Sequence, residues 1–127
     1  MLGIRPATLK DVPLLREMIV EFATFERLAD ELTITEETLA RDGFGARPRF
    51  RVLISEWQDK PAGYAMYFPF YSSFQGPGLF LEDVYVRPEF RGKGIGKALN
   101  GGGCGGRSAR GTRGDAFGSA RLEYAGD

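Results

Sequence analysis

The residues whose types and spacing could do chemistry fall in one stretch, Leu81-Glu82-Asp83-Val84-Tyr85-Val86-Arg87-Pro88-Glu89-Phe90-Arg91-Gly92-Lys93-Gly94-Ile95-Gly96-Lys97-Ala98-Leu99. An apolar strand, a glycine-rich loop from Arg91 to Gly96 and a helix start follow one another, the layout of an anion site. Helix-start amides point outward without intrahelical partners, and the helix dipole adds partial positive charge. Glycines let the backbone approach a phosphate closely, and Arg91, Lys93 and Lys97 add full positive charges. Two common nucleotide motifs fail on spacing. A dinucleotide fingerprint needs G-x-G-x-x-G, but counting from Gly92 and Gly94 the third position is Lys97. A P-loop needs glycine five residues before Gly96 and Ser or Thr after the lysine, where this chain has Arg91 and Ala98. What remains is R-x-x-G-x-G, at Arg91, Gly94 and Gly96.

Just before the loop, Glu82 is a carboxylate inside an apolar strand, flanked by Phe80, Leu81, Val84 and Val86. Burying such a group without a partner costs several kcal/mol and raises its pKa toward a range useful for proton transfer. Strand alternation alone leaves a solvent-facing edge position open. The same alternation puts Asp83 on the opposite face, with either substrate charge recognition or a structural role.

The remaining chemistry is bounded by composition. The chain has no histidine and one cysteine, which excludes an internal disulfide and an ordinary zinc site; no metal is expected. Any catalysis must use carboxylates, Tyr, Lys or backbone groups. Seventeen basic residues balance seventeen acidic ones, which argues against a surface built to grip nucleic acid or an anionic membrane. No apolar run approaches the roughly 18 residues that span a bilayer, and the first residues lack a signal-peptide layout. The chain reads as cytoplasmic.

The positioning elements are legible in residues 1–100. Ile4 to Thr8 reads as a short strand, and a helix runs from about Leu9 or Val12 to Leu28, with Leu15, Met18, Ile19 and Phe22 at helical spacing. Thr8 with Asp11 resembles a capping box, although Pro13 suits Asp11 as the cap. Thr35 caps a second helix that Gly43 ends. Phe50 to Trp57 alternates, a turn covers residues 58–63, Gly63 to Tyr71 completes a hairpin, and Leu79 to Val86 ends at Pro88. A last helix starts at about Gly94. The order β-α-α-β-β-β-loop-α describes an α/β domain.

Composition breaks near residue 100. Gly, Ala and Arg supply 17 of residues 101–127 and no apolar periodicity survives there, so residues 101–127 read as a flexible tail. Gly-Gly-Gly-Cys-Gly-Gly at 101–106 disfavours helix at about 1 kcal/mol per glycine. The abrupt change is what a GC-rich reading frame gives after a shift. Arginine-glycine steps in the tail resemble RNA-binding segments only faintly, because three carboxylates offset the four arginines.

The motif and its context resemble the Gcn5-related N-acetyltransferase (GNAT) family, whose signature is Gln/Arg-x-x-Gly-x-Gly/Ala after an apolar strand, and within it the spermidine/spermine (diamine) N-acetyltransferase branch. Ile4-Arg5-Pro6-Ala7-Thr8, Asp42-Gly43-Phe44-Gly45, Ala65-Met66-Tyr67, Leu81-Glu82-Asp83 and Arg91 to Gly96 match in order across residues 4–99. The resemblance implies an acyl-CoA acyltransferase fold, a mixed, mainly antiparallel central sheet flanked by helices, here truncated after the pyrophosphate-loop helix. It implies acetyl-CoA as co-substrate, its pyrophosphate held at Arg91, Gly92, Lys93, Gly94, Ile95, Gly96 and Lys97. Backbone groups of Val84, Tyr85 and Val86 would pair with the pantetheine arm, and a strand amide near Val84 would polarise the thioester carbonyl.

The acceptor would be a small primary amine of polyamine or diamine type. Its ammonium, with a pKa of about 10, must lose a proton before attack, and Glu82 is the candidate to accept it. Residues 17–37 carry seven acidic side chains (Glu17, Glu21, Glu26, Asp30, Glu31, Glu36 and Glu37) against one basic, Arg27, which fits either an acidic acceptor groove or solvated helix faces. Phe25 and Glu26 match a Tyr-Glu pair that contacts polyamine in that branch, with Phe replacing the tyrosine. The family's second half, including the tyrosine that protonates the departing thiolate, has no recognisable counterpart; Tyr124 lies in a different context. The expectations are therefore an acetyltransferase or, as the alternative, an inactive CoA-binding or dimerising fragment. Homodimers are frequent in the family, and Leu79 to Val86 is expected to be a bare apolar edge.

Overall fold

The computed structural model describes residues 1–102 and a two-residue strand at Tyr124–Ala125. Apart from Gly101, Gly102 and that strand, the tail lies outside the described residues, as does the expectation that it is flexible. The chain order is β1 (Leu2–Pro6), α1 (Val12–Phe25), α2 (Glu36–Phe44), β2 (Arg51–Trp57), β3 (Lys60–Ser72), β4 (Gly76–Val86), α3 (Ile95–Gly102) and β5 (Tyr124–Ala125). The strands form one sheet in the order β1-β2-β3-β4-β5. The first four pair antiparallel, and β5 runs parallel to β4 through Val84↔Tyr124 and Tyr85↔Ala125. The mixed, mainly antiparallel sheet is the expected one. The bare edge is not: β5 covers β4 at Val84 and Tyr85.

Each helix forms where its sequence supplies a start signal. Thr8 and Asp11 make the reciprocal capping box around a short 3₁₀ turn, and Asp11 is then the N-cap of α1, with Pro13 in its first turn. Both sequence alternatives are thus realised, one after the other. Asp11 also takes two guanidinium bonds from Arg5, at 2.8 and 2.9 Å. The Arg5 bonds pull its carboxyl down to about 2. α1 ends at Phe25 rather than Leu28, because Arg27 takes a left-handed φ of 60°. Thr35 caps α2, its hydroxyl accepting from the Thr38 amide at 3.1 Å. Gly43 lies inside α2, not at its end; a Cβ there would run into the Phe50 ring, so the glycine permits close packing. The β2–β3 turn is tighter than expected. Gln58 and Asp59 carry φ of 55° and 66° between the paired Trp57 and Lys60, the two-residue turn whose twist suits a hairpin.

The sheet separates two apolar clusters. On one face, Val12, Leu15, Met18 and Phe22 of α1 and Leu39 of α2 pack on Val52, Ile54, Tyr64 and Tyr85. On the other, Ile95 and Leu99 of α3 pack on Ala62, Ala65, Tyr67, Val84 and Val86. The Tyr67 hydroxyl donates to the Leu99 carbonyl at 2.7 Å and contacts that of Asn100 at 3.2 Å, holding the last turn of α3 to the sheet. Among the described residues no helix is long and apolar enough to cross a membrane.

Two substitutions test these assignments. Tyr67→Phe removes the donor while leaving a buried carbonyl, and should cost about 1–2 kcal/mol in urea unfolding. Asp11→Asn should cost about 1 kcal/mol at neutral pH once solvent screening is allowed for. Because the folded pKa is depressed, that contribution is present above the unfolded value near 4 and is lost as pH falls toward 2. The difference between wild type and variant should narrow over that interval.

Candidate active site

The decisive local feature is in β4. Its register to β3 runs Ala65↔Val84 and Met66↔Asp83, then shifts to Tyr67↔Leu81. Glu82 is the extra residue of a β-bulge, a device that bends a strand and re-aims a side chain. By plain alternation Glu82 would share the α3 face with Val84 and Val86. The bulge instead sets Glu82 beside Asp83 on the face of α1 and α2, and the expectation that the two carboxylates point to opposite faces is corrected. Both line two adjoining cavities, each also bounded by Ile19 of α1.

The smaller cavity, about 200 Å³, is closed by Phe22, Ala23, Glu26, Leu28, Glu31 and Leu32. The larger is an open groove of about 780 Å³ between α1, α2 and the sheet. Asp83 accepts a hydrogen bond from the buried Tyr64 hydroxyl at 3.2 Å. Asp83 is thereby tied to the sheet face, and Glu82, Asp83 and Glu26 converge on one acidic corner. Of the Phe25-Glu26 pair, Glu26 lines the smaller cavity. Phe25 is half exposed at the end of α1, under the Arg91 guanidinium at 4.8 Å.

The end of β4 is braced to α1. Arg87 donates to Glu21 (3.1 and 3.0 Å) and Glu17 (2.7 Å), and the Tyr85 hydroxyl donates to Glu21 at 3.0 Å. Burial, then the Glu21 carboxylate, pushes the Tyr85 phenol up to about 12, so it stays a donor. Arg91 completes the brace. Its Nε donates to the Val86 carbonyl at 2.9 Å and its guanidinium faces the rings of Phe25 and Tyr85. One of its terminal nitrogens is buried with no hydrogen-bond partner among the described residues. The sequence reading gave Arg91 a charge in the loop; the structure spends that charge on α1.

The loop follows. Gly92 and Gly94 take φ of 84° and 79°, where a side chain would be strained, and open space lies where each Cβ would stand. Lys93 lies over the Trp57 ring at 5.2 Å, and Lys97 is exposed on the first turn of α3. Ile95 is buried against the sheet, so it anchors the helix by its side chain. The glycine loop thus leads directly into the positive end of α3, with two lysines in the same segment, the elements from which a pyrophosphate site is built. Among the described residues no group of three His, Cys, Asp or Glu side chains could hold a metal ion.

Residues 14–100 match the acetyltransferase (GNAT) family model. The chain belongs to this family. Among curated relatives, a thialysine N-epsilon-acetyltransferase of Sus scrofa is 40% identical over 104 residues, covering 76% of this chain and 61% of the relative. A spermidine/spermine N(1)-acetyltransferase-like protein of Homo sapiens is 42% identical over 103 residues, covering 76% of this chain and 15% of that one. The chain thus spans about three fifths of the length of the thialysine enzyme it matches. An aminoglycoside acetyltransferase from an uncultured soil metagenomic sample, in complex with sisomicin, shares the fold. Its TM-score is 0.63 at 20% identity, covering 77% of this chain and 64% of that one.

Sequence reasoning missed the bulge, which has no glycine or proline to mark it, and the brace formed by Glu17, Glu21 and Arg87. The brace was visible only as acidic positions four apart on α1. The stacked pair gives a test. A double-mutant cycle of Phe25→Ala and Arg91→Ala in urea unfolding should show a coupling of about 1 kcal/mol; additive single effects would mean that the contact carries no energy.

Proposed function

We propose that this GNAT domain transfers acetyl from acetyl-CoA to a primary amine of a small polyamine-like or diamine acceptor. The observation that carries the reading is the bulge at Glu82, which places a carboxylate pair in a groove on the same strand that leads into the phosphate-type loop. When bound, acetyl-CoA supplies the activated acetyl thioester. The backbone of Gly92 to Lys97 would hold its pyrophosphate, with Lys93 and Lys97 contributing charge. Val84, Tyr85 and Val86 would hold the arm by their backbone groups, which requires β5 to leave Val84 and Tyr85. Asp83, fixed by Tyr64, and Glu26 attract an ammonium into the acidic corner. Glu82 accepts the proton that the amine must lose before it attacks, directly or through one water.

Steady-state acetylation of a diamine, followed by release of free CoA, tests this reading. Glu82→Gln should lower kcat by about 10²–10³ with acetyl-CoA binding unchanged, and Gly94→Glu, which sets a carboxylate in the anion cradle at a strained φ, should abolish acetyl-CoA binding in calorimetry. Undiminished turnover by Glu82→Gln would contradict the assignment. A folded chain that binds acetyl-CoA and makes no product would be the CoA-binding fragment instead.

A further inference from the structure

β4 has two edges, and they are used differently. One is filled by β3 along the strand, from Gly63↔Val86 to Ser72↔Gly76. The phase of that ladder follows from one bond: the Arg87 amide donates to the Ala62 carbonyl at 2.8 Å. In an antiparallel pair, opposed residues that exchange hydrogen bonds alternate with opposed residues that do not. Arg87 and Ala62 are of the first kind. Val86 opposite Gly63 and Val84 opposite Ala65 are then of the second, and both turn their amides and carbonyls to the outer edge. Tyr85, between them, spends its backbone groups on Tyr64.

That outer edge is short. At one end the Arg91 Nε takes the Val86 carbonyl at 2.9 Å. At the other, the slip between Met66↔Asp83 and Tyr67↔Leu81 breaks the alternation. Between these limits lie the amide and carbonyl of Val84 and the amide of Val86. β5 is seated there, parallel to β4, with Tyr124 opposite Val84 and Ala125 opposite Tyr85.

The arm of an acyl-CoA is an extended chain with amide groups of its own, and it needs those same backbone groups. A strand edge takes one such partner at a time. Resting on the proposed use of acetyl-CoA, we propose that β5 is a built-in competitor of the co-substrate: it closes the outer edge of β4 in the free chain and must leave before the arm can bind. The competition is intramolecular, so the segment acts at the effective concentration set by its tether, not at that of the protein. Two residue pairs hold it among the described residues, a short contact that the arm can displace. Its cost appears as an apparent affinity lowered by the fraction of chains whose edge is open. The glycine loop lies outside the contested groups, so phosphates bind there whether or not β5 is seated.

Tyr124→Pro with Ala125→Pro, made in the full chain, removes the amides that β5 can offer to a ladder. Two probes separate the edge from the loop: acetyl-CoA, and adenosine 3′-phosphate 5′-diphosphate, which keeps the phosphates and lacks the arm. In calorimetry the variant should bind acetyl-CoA about tenfold more tightly than the parent chain and the nucleotide within about twofold of it. Without any ligand, hydrogen exchange of the Val84 amide should quicken in the variant, while that of Tyr85, which faces β3, should not change. Unchanged or weaker acetyl-CoA binding by the variant, equal gains for both probes, or an unaltered Val84 amide would overturn the inference. If acetyl-CoA still binds both chains in those cases, the acetyl-CoA reading stands without it. Binding of neither probe to either chain would bring down both.

Discussion

The one-residue slip between β3 and β4 is the constraint on which the rest of the site depends. With an unbroken ladder, Glu82 would point at α3, into an apolar layer of Ala65, Tyr67, Val84 and Ile95, where a carboxylate is costly. The bulge moves that charge to the other face and restores the alternation beyond it, so that Val84 and Val86 face α3 while Asp83 and Tyr85 face α1. A single strand thereby delivers an acidic pair to the groove, two apolar anchors to the opposite core and a direct lead into the glycine loop. The family's chemistry, joining an amine to an activated acyl group, needs those three things in one frame.

A frame of this kind must be held at its open end, and α1 is what holds it. Glu17 and Glu21, one turn apart on α1, take Arg87 and the Tyr85 hydroxyl, and Phe25 lies under Arg91. The arginine that opens the R-x-x-G-x-G motif is thus a brace between the loop and the helix that walls the groove. Its bond to the Val86 carbonyl closes the turn from β4 into the loop. The glycines then do what arginine does not: their positive φ turns the backbone so that the loop presents main chain to solvent.

Much of this was legible in the sequence because the signals are local. Helical spacing in α1, the Thr8–Asp11 box, the Thr35 cap and the alternation of β2 each depend on residues a few positions apart. The loop likewise was visible from Gly92, Gly94 and Gly96. What the sequence concealed depends on pairing between distant segments. The bulge at Glu82 exists only relative to β3, so alternation counted along β4 alone assigned Asp83 to the wrong face. Gly43 looked like a helix stop because its partner, Phe50, comes from the next element. Arg91 looked like a free charge because Phe25 is far away in sequence.

The central claim is that Glu82 stands where an amine and the acyl donor meet. The carboxyl ¹³C resonance of Glu82, assigned through Glu82→Gln, reports on that position directly. The account predicts that it moves when acetyl-CoA is added and moves again, saturably, when an amine acceptor follows. A resonance indifferent to both ligands, in a chain that binds them, would place the acceptor elsewhere and contradict the account.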